Sequence, residues 1–247
     1  DRPGAHLDPV DLWYWPSIQG RGEFVRLFMA AADIAWRDRA RDRDAQALVE
    51  DMEEREKSVQ FAPYAPPYLV DRDDDFAIAQ VAHICSWLTE RHDLGTGDSK
   101  TDLHLIQLQL TITDIVAEVH DTHHPVSGGL YYDDQKEAAA QAAKSFREER
   151  IPKYFDHFEK AYGKIDGPFA AGEKWSHVDT SIFQLIEGLR YAFPRRMKSI
   201  EGDYPRLVAA RDAVAKIEGV ATYLASEKRL PFNEEGIFRH YEELDGE

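Results

Sequence analysis

Three histidines close together are the residues whose type and spacing most directly suggest chemistry. His120, His123 and His124 lie within "HDTHHP", and an α-helix would bring His120 and His124 onto one face. Two imidazoles at that spacing are compatible with a metal site. No glutamate follows His120 as it does in the His-Glu-x-x-His zinc motif. The sequence therefore predicts no metal at this position and favours an ordinary helix end.

Tyr14, Ser17 and Cys85 could also do chemistry, but each fits an ordinary structural position. A tyrosine within "LWYW" suits a half-buried strand, and a serine within "WPSIQG" suits a turn or a helix N-cap. Cys85 is the single cysteine of the chain, and within "HICSWL" it fits a small core residue better than a nucleophile. Any catalytic role for these residues depends on the elements that position them.

The first part of the chain, up to about Leu94, mixes short strands with helices. The pattern predicts a strand in "VDLWYW" and an amphipathic helix in "GRGEFVRLFMAAADI". A hairpin is predicted from "PPYLVD" and "FAIAQ" around the acidic turn "DRDDD", followed by a helix in "VAHICSWLTERH". The charged stretch "RDRARDRDAQALVEDMEEREK" fits either a solvated helix or a loop. This order of elements indicates an α/β layer.

From Thr101 onwards the chain shows long helical periodicity and almost no alternation. The segment "LGTGDSK" is typical of a linker, which places the boundary near Gly95 to Lys100. Ser176 and Asp179 have the spacing of a capping box at the start of a buried helix. Prolines 194, 205 and 231 are expected to divide the tail into shorter helices and a final irregular stretch. We therefore predict two domains, residues 1–95 and 101–247.

Composition excludes several classes of partner. The 247 residues carry 46 acidic and 30 basic side chains, for a formal net charge of −16. Such a charge disfavours nucleic acid and anionic membrane surfaces. The first residues, "DRPGAHLDPVD", lack the basic and apolar regions of a secretion signal, and no apolar run is long enough to span a bilayer. With a single cysteine, these features favour a cytoplasmic protein.

Three segments, taken in order, resemble the cytosolic glutathione transferase family, particularly its tyrosine-using classes such as sigma, pi and alpha. In the first, "LWYWPSIQGRGEFVRL", Tyr14, Arg21 and Arg26 fall on positions that the family uses. The family has a tyrosine at the end of its first strand, followed by a turn with glycine and arginine. The turn in this chain is about one residue longer than in the commonest form.

The second segment is "APPYLVDRDDDFAIAQVAHICSWL". It resembles the family's cis-proline turn, with Pro67 as the matching proline, and the hairpin and helix that bind glutathione. Gln80 and Val81 match the pair that binds the γ-glutamyl end, although the family usually has Ser or Thr at the second position. Val81 therefore lacks a hydroxyl donor. Pro66 lacks the backbone N–H that the family offers to the cysteinyl carbonyl.

The third segment, "GPFAAGEKWSHVDTSIFQL", is similar to the hallmark of the family's helical domain. Together the three segments span nearly the whole chain. The resemblance implies an α/β thioredoxin-like N-terminal domain that binds glutathione and an all-α C-terminal domain that binds the second substrate. It also implies a homodimer, with glutathione as co-substrate.

The resemblance implies a transferase that activates the glutathione thiol for attack on a hydrophobic electrophile, as in detoxification. A thiol with a pKa near 8.5 is mostly protonated at neutral pH, and a donated phenolic hydrogen bond favours its thiolate. Tyr14 is the expected donor, and Arg21 adds positive field. Ser17 is the competing activator, because other classes use a serine at the start of the first helix. Arg26 is expected to be a buried structural ion-pair partner.

Further site residues follow from the same resemblance. Trp15 and Ile18 are expected to line the pocket of the hydrophobic substrate, as is His124. Asp114 is expected to contact the γ-glutamyl amine across the dimer interface, although an exposed helix carboxylate is an equal reading.

Two alternatives remain open at this stage. One is a glutathione-dependent isomerase, reductase or lyase on the same fold. The other is a glutathione- or ligand-binding protein without turnover, which the missing donors at Pro66 and Val81 favour.

Overall fold

A four-stranded sheet organises the first part of the computed structural model, which describes residues 9–247. The expectation that the first residues lack a secretion signal concerns residues 1–11, of which 1–8 lie outside the described residues. The strands are β1 (Val10–Trp13), β2 (Trp36–Asp38), β3 (Tyr68–Asp71) and β4 (Phe76–Ala79), in the spatial order β2-β1-β3-β4. β1 pairs in parallel with β2 and antiparallel with β3, and β3 pairs antiparallel with β4. The predicted hairpin is confirmed.

Helices cover both faces of this sheet. Helices α1 (Gly22–Ala31) and α4 (Val81–Arg91) pack on one face around an apolar cluster that includes Leu12, Leu69 and Ile84. On the other face, Leu48 packs against Trp13 and Tyr68. Burial on both sides explains why β1 and β3 read as nearly continuous apolar runs rather than alternating ones.

The charged stretch after α1 forms three elements. Strand β2 opens it, followed by α2 (Arg39–Asp42) and α3 (Ala45–Ser58). Asp44 caps α3 by accepting a hydrogen bond of 2.8 Å from the N–H of Ala47. The sequence left a helix and a loop open here and did not predict β2, because three half-buried residues carry no periodic signal. Pairing with β1 defines that strand.

The rest of the chain is helical. The helices are α5 (Ser99–His123), α6 (Lys136–Ser145), α7 (Ile151–Tyr162), α8 (His177–Ala192), α9 (Pro194–Ile200), α10 (Pro205–Val214) and α11 (Glu218–Leu224). A π-helical turn, Phe146–Arg150, joins α6 to α7. Helix α8 is buried along almost its whole length and carries much of the core. Within the described residues, no helix combines the length and hydropathy that crossing a membrane would require.

Capping residues and prolines determine where three of these helices begin. Helix α5 begins at Ser99, inside the segment predicted as linker, because Asp98 caps it by accepting a hydrogen bond of 2.9 Å from the N–H of Thr101. Helix α9 begins at Pro194 and helix α10 begins at Pro205, so the predicted breaks at these two prolines are confirmed. The domain bounds 1–95 and 101–247 stay a prediction.

The predicted capping box at the start of α8 is confirmed. Ser176 accepts from the N–H of Val178, and Asp179 accepts from the N–H of Ser176 at 2.7 Å. Asp179 is fully buried and also accepts from the hydroxyl of Tyr162 at 2.6 Å and the N–H of Ala170 at 2.9 Å. One carboxylate therefore ties α8 to α7 and to the loop between them, which the sequence pattern did not reveal.

Replacing Asp179 with alanine is expected to lower the free energy of unfolding by about 3–5 kcal/mol, because it leaves several buried donors without an acceptor. Urea unfolding followed by far-UV circular dichroism measures this loss. Glu137→Ala is the matched control, since Glu137 is an exposed acidic residue in the first turn of α6. Equal stability of the two variants would contradict the assigned role of Asp179.

Candidate active site

Tyr14 follows β1 and lies under the turn that leads into α1. Its side chain is 4% exposed, and its hydroxyl oxygen accepts a hydrogen bond of 2.9 Å from the N–H of Arg21. The turn can approach this closely because Gly20 and Gly22 have no side chains. A Cβ at Gly20 would lie 2.1 Å from the hydroxyl oxygen, and one at Gly22 would lie 2.6 Å from the ring. Gly20 also has φ +48°, which favours glycine.

The phenol of Tyr14 is a neutral donor at neutral pH. Burial raises its pKa, and the hydrogen bond from Arg21 together with the charges of Arg21 and Arg26 only partly offsets that effect. Because the oxygen already accepts one hydrogen bond, the hydroxyl hydrogen is available to a second partner.

A cavity of about 210 Å³ lies beside this turn, between the sheet-containing part and α5. Its wall on the sheet side includes Arg21, Phe24, Ala65, Pro66, Pro67, Gln80 and Val81. Its wall on α5 is formed by Gln109, Ile112, Thr113 and Val116. Five residues that the sequence analysis singled out (21, 66, 67, 80 and 81) therefore meet at one cavity.

Two of the wall segments have unusual backbones. The peptide bond between Pro66 and Pro67 is cis, as predicted for Pro67. Gln80 has φ +72° and immediately precedes α4, whose first residue is Val81. The side chain of Gln80 makes no capping hydrogen bond and is exposed at the cavity. The start of α4, where N–H groups lack intrahelical partners, therefore borders the cavity and favours an anionic ligand.

Buried charges connect the start of α1 to the C-terminal tail. Arg26 is fully buried and pairs with Glu23 at 3.2 Å and with Asp38 at 2.6 Å, which confirms its predicted structural role. Glu23 in turn accepts from the hydroxyl of Tyr223 at 2.7 Å and pairs with Arg229 at 2.9 Å. The turn over Tyr14 is thereby joined to residues some two hundred positions later.

Gln109 is fixed in the cavity wall by two residues of α8. Its oxygen accepts from Nδ1 of His177 at 2.9 Å, and its amide donates to the hydroxyl of Ser181 at 3.0 Å. Burial lowers the pKa of His177 to about 4, so this imidazole is neutral near pH 7. Both hydrogen bonds define which way the amide of Gln109 points.

Other predicted site residues lie outside the cavity wall. Tyr14 is behind the wall, next to Arg21, and Ser17 is exposed, with its carbonyl accepting from Asn233 at 3.0 Å. Trp15 is 39% exposed and Ile18 is half-buried in the same turn.

Asp114 and His124 also lie away from this wall. Asp114 is exposed on α5, next to the wall residue Thr113, and His124 follows the end of that helix. Their predicted roles stay predictions. Cys85 is fully buried in the core under the sheet, and burial raises its thiol pKa, as its predicted core position requires.

The sequence did not predict that α5 forms one wall of the cavity. Gln109, Ile112, Thr113 and Val116 follow the spacing of one helix face, which was recognised as apolar periodicity. The pattern could not show that this stretch faces Pro66 and Gln80, because that depends on how α5 packs. Phe24 and Ala65 were likewise not singled out.

Comparison with known proteins finds similarity to glutathione transferases. Residues 120–227 match the model for the glutathione S-transferase C-terminal domain. A curated glutathione S-transferase of Plasmodium yoelii yoelii is 20% identical over 211 residues, covering 85% of this chain and 90% of the relative. The chain is therefore similar to glutathione transferases over most of its length.

Solved structures show the same fold over almost the whole chain. A pi-class glutathione S-transferase of Onchocerca volvulus superposes with a TM-score of 0.69 at 20% identity, covering 92% of this chain and 98% of that one. Rat hPGDS in complex with a quinoline superposes with a TM-score of 0.67 at 19% identity, covering 92% and 100%. The predicted fold, a thioredoxin-like N-terminal part followed by an all-helical one, is confirmed.

The buried imidazole behind the cavity makes stability depend on pH. An unfolded histidine has a pKa near 6.5, whereas His177 in the fold has a pKa of about 4. The unfolded state therefore binds the proton more readily, and this contribution to stability is present above pH 6.5 and is lost as the pH falls to about 4. The loss is expected to reach about 3 kcal/mol.

Urea unfolding of His177→Asn at several pH values measures this contribution. Asparagine keeps an N–H donor near the position of Nδ1 but does not titrate. Its free energy of unfolding should fall less steeply between pH 6.5 and 4 than that of the parent. His104→Gln, a change at an exposed histidine of α5, should keep the parental slope. An unchanged slope in His177→Asn would refute the assignment.

Proposed function

We propose that this chain is a glutathione transferase in which Tyr14 activates the bound thiol for attack on a hydrophobic electrophile. The observation that carries the proposal is the hydroxyl of Tyr14, which is neutral and already accepts the Arg21 N–H. Arg21 itself belongs to the wall of the adjacent cavity. The hydroxyl hydrogen of Tyr14 is thus available to donate to a thiolate.

Glutathione is proposed to bind along the sheet-side wall. Its γ-glutamyl carboxylate would lie at the start of α4, beside Gln80 and Val81, where helix N–H groups stabilise negative charge. Its cysteinyl part would lie against Pro66 and Pro67, which directs the sulfur towards the turn over Tyr14. Asp114 of a second copy would receive the γ-glutamyl amine in a homodimer.

The proposed chemistry is nucleophilic. The thiol releases its proton to solvent, and the hydroxyl of Tyr14 donates a hydrogen bond to the resulting thiolate. The sulfur then forms a bond to an electrophilic carbon. Either the bond from that carbon to a leaving group breaks and the group departs with the electron pair, or a carbon–carbon double bond opens and its other carbon takes a proton from water. A hydrogen bond to a charged group is worth about 1.5–3 kcal/mol. That corresponds to a thiol pKa lowered by roughly one to two units. The positive charge of Arg21 acts in the same direction.

The second substrate is proposed to contact Trp15, Ile18 and His124. Trp15 presents 39% of its surface, and Ile18 lies in the same turn near Gly236 of the tail. An exposed indole beside an apolar side chain suits a hydrophobic molecule. We propose that such conjugation serves detoxification in the cytoplasm.

A second candidate function is glutathione binding without turnover. Val81 offers no hydroxyl and Pro66 no N–H, so two donors that the family resemblance leads us to expect are missing. A glutathione-dependent isomerase, reductase or lyase would use the same activated thiol. Assays that separate thiolate formation from conjugation distinguish these possibilities.

Tyr14→Phe is expected to raise the pKa of bound glutathione by roughly one to two units, because it removes the donor to the thiolate. Thiolate absorbance, measured against pH in the complex with glutathione, reports this shift directly. Conjugation of a generic aryl halide at neutral pH should fall by about ten- to a hundredfold, with a similar Kd for glutathione.

Tyr131→Phe provides the control, since Tyr131 is a tyrosine that is 83% exposed and distant in the chain from the turn. If Tyr14→Phe held as much thiolate as the parent, the activating role would pass to Ser17. Glutathione binding with neither thiolate formation nor conjugation in the parent would favour the non-catalytic function.

A further inference from the structure

Three imidazoles come together where α5 ends. His120 and His123 belong to the last turns of the helix, and His124 is the first residue beyond it, with φ −134° and ψ 56°. Because the backbone leaves the helix at this residue, the ring of His124 turns towards His123. The sequence pattern paired only His120 with His124, and the structure adds His123 as a third member.

The spacing of the three rings matches that of three ligands around one ion. Ring centroids are 5.1 Å apart for His120 and His123, 5.4 Å for His120 and His124, and 4.7 Å for His123 and His124. Three imidazoles bound to a tetrahedral zinc ion at the usual bond length have centroids about 5.2 Å apart. One ring nitrogen from each residue lies within 4.8 Å of the others.

Two of the imidazoles have outer partners of the kind that metal-binding histidines have. Nε2 of His123 lies 2.8 Å from the carbonyl oxygen of Ile237 and must donate to it, which leaves Nδ1 unprotonated. Nδ1 of His120 lies 3.3 Å from a carboxylate oxygen of Asp121, which directs Nε2 away from that oxygen. Histidine ligands characteristically donate their second N–H to a carbonyl or a carboxylate.

One positive charge lies near the three imidazoles. The guanidinium of Arg239 acts electrostatically on both His123 and His124. Arg239 is itself held by the carbonyls of Gly236 and Glu235. Asp121 is the nearby negative charge that offsets it for a bound cation.

Binding of a metal ion would require His123 and His124 to move slightly apart. The Nδ1 atoms of His123 and His124 lie 2.5 Å apart and share a hydrogen bond. Two nitrogen ligands of a tetrahedral zinc ion are about 3.4 Å apart. His124 lies outside the helix and is half-buried, so its ring can rotate by this amount while His123 stays fixed by Ile237.

We propose that His120, His123 and His124 bind one divalent transition-metal ion, with Zn²⁺ as the best match, and that water completes the fourth position. Imidazole ligands favour zinc, copper and nickel over calcium and magnesium. Three histidines and an open position form the ligand set of catalytic rather than structural zinc sites. His120 follows the cavity residue Val116 by one helical turn, about 6 Å along α5. The site thus lies next to the cavity, and it includes His124, which we propose above as a contact of the second substrate.

The test is a Zn²⁺ titration of the full chain without a polyhistidine tag and without glutathione, in competition with a chromogenic chelator. We expect one Zn²⁺ per chain. His120→Gln and His124→Gln should each weaken binding at least tenfold, and both are half-buried positions that tolerate a polar side chain. His104→Gln, on the same helix and exposed, should bind as the parent does.

A second measurement identifies the ligands. Co²⁺ bound to the parent should give the visible absorption bands of tetrahedral coordination, and His123→Gln should lose these bands while keeping a parental circular dichroism spectrum. The proposal is overturned if the parent binds Zn²⁺ no more tightly than His120→Gln and His124→Gln. Loss of binding in His104→Gln to the same extent would also overturn it.

Discussion

The hydrogen bond from the N–H of Arg21 to the hydroxyl of Tyr14 is the constraint on which the rest of the candidate site depends. It fixes the phenol under the turn and uses a lone pair of its oxygen, so that the hydroxyl hydrogen is free for another acceptor. It also requires a backbone that passes within van der Waals distance of the ring. Gly20 and Gly22 meet that requirement, since any side chain there would overlap Tyr14.

A network of buried charges connects the turn over Tyr14 to the helical part of the chain. Arg26, Glu23 and Arg229 lie in one network, and each is 0–11% exposed at its side chain. Isolated buried ion pairs contribute little net stability, because desolvation offsets their attraction, but breaking one leaves an uncompensated charge. The main effect of the network is therefore to fix the position of the turn relative to the tail. Its net contribution to the free energy of unfolding is small. Gln19 extends it, donating to the carbonyl of Leu230 and accepting from Gln184 at 2.8 Å.

The features that depend on residues close together in the sequence could be predicted. The capping box at Ser176 and Asp179 and the hairpin around "DRDDD" have signals within a few residues. The convergence of Arg21, Pro67 and Gln80 at one cavity was expected only through family resemblance, because these residues are far apart in sequence.

Long-range packing explains what could not be predicted. Gln109 reads as one polar residue on an apolar helix, and only its contacts with His177 and Ser181 reveal its place in the wall. Likewise, the ring of His124 meets that of His123 because α5 ends between the two residues, a boundary that helical spacing does not define. Strand β2 depends on its neighbour β1 in the same way.

A crystal structure of the full chain with glutathione bound would show whether Tyr14 contacts the sulfur. We expect the sulfur to lie within hydrogen-bonding distance of the Tyr14 hydroxyl, with the γ-glutamyl carboxylate at the start of α4 and the Arg21 N–H still bonded to the phenol oxygen. A sulfur out of reach of that oxygen, or tripeptide bound away from Pro67 and Gln80, would contradict it.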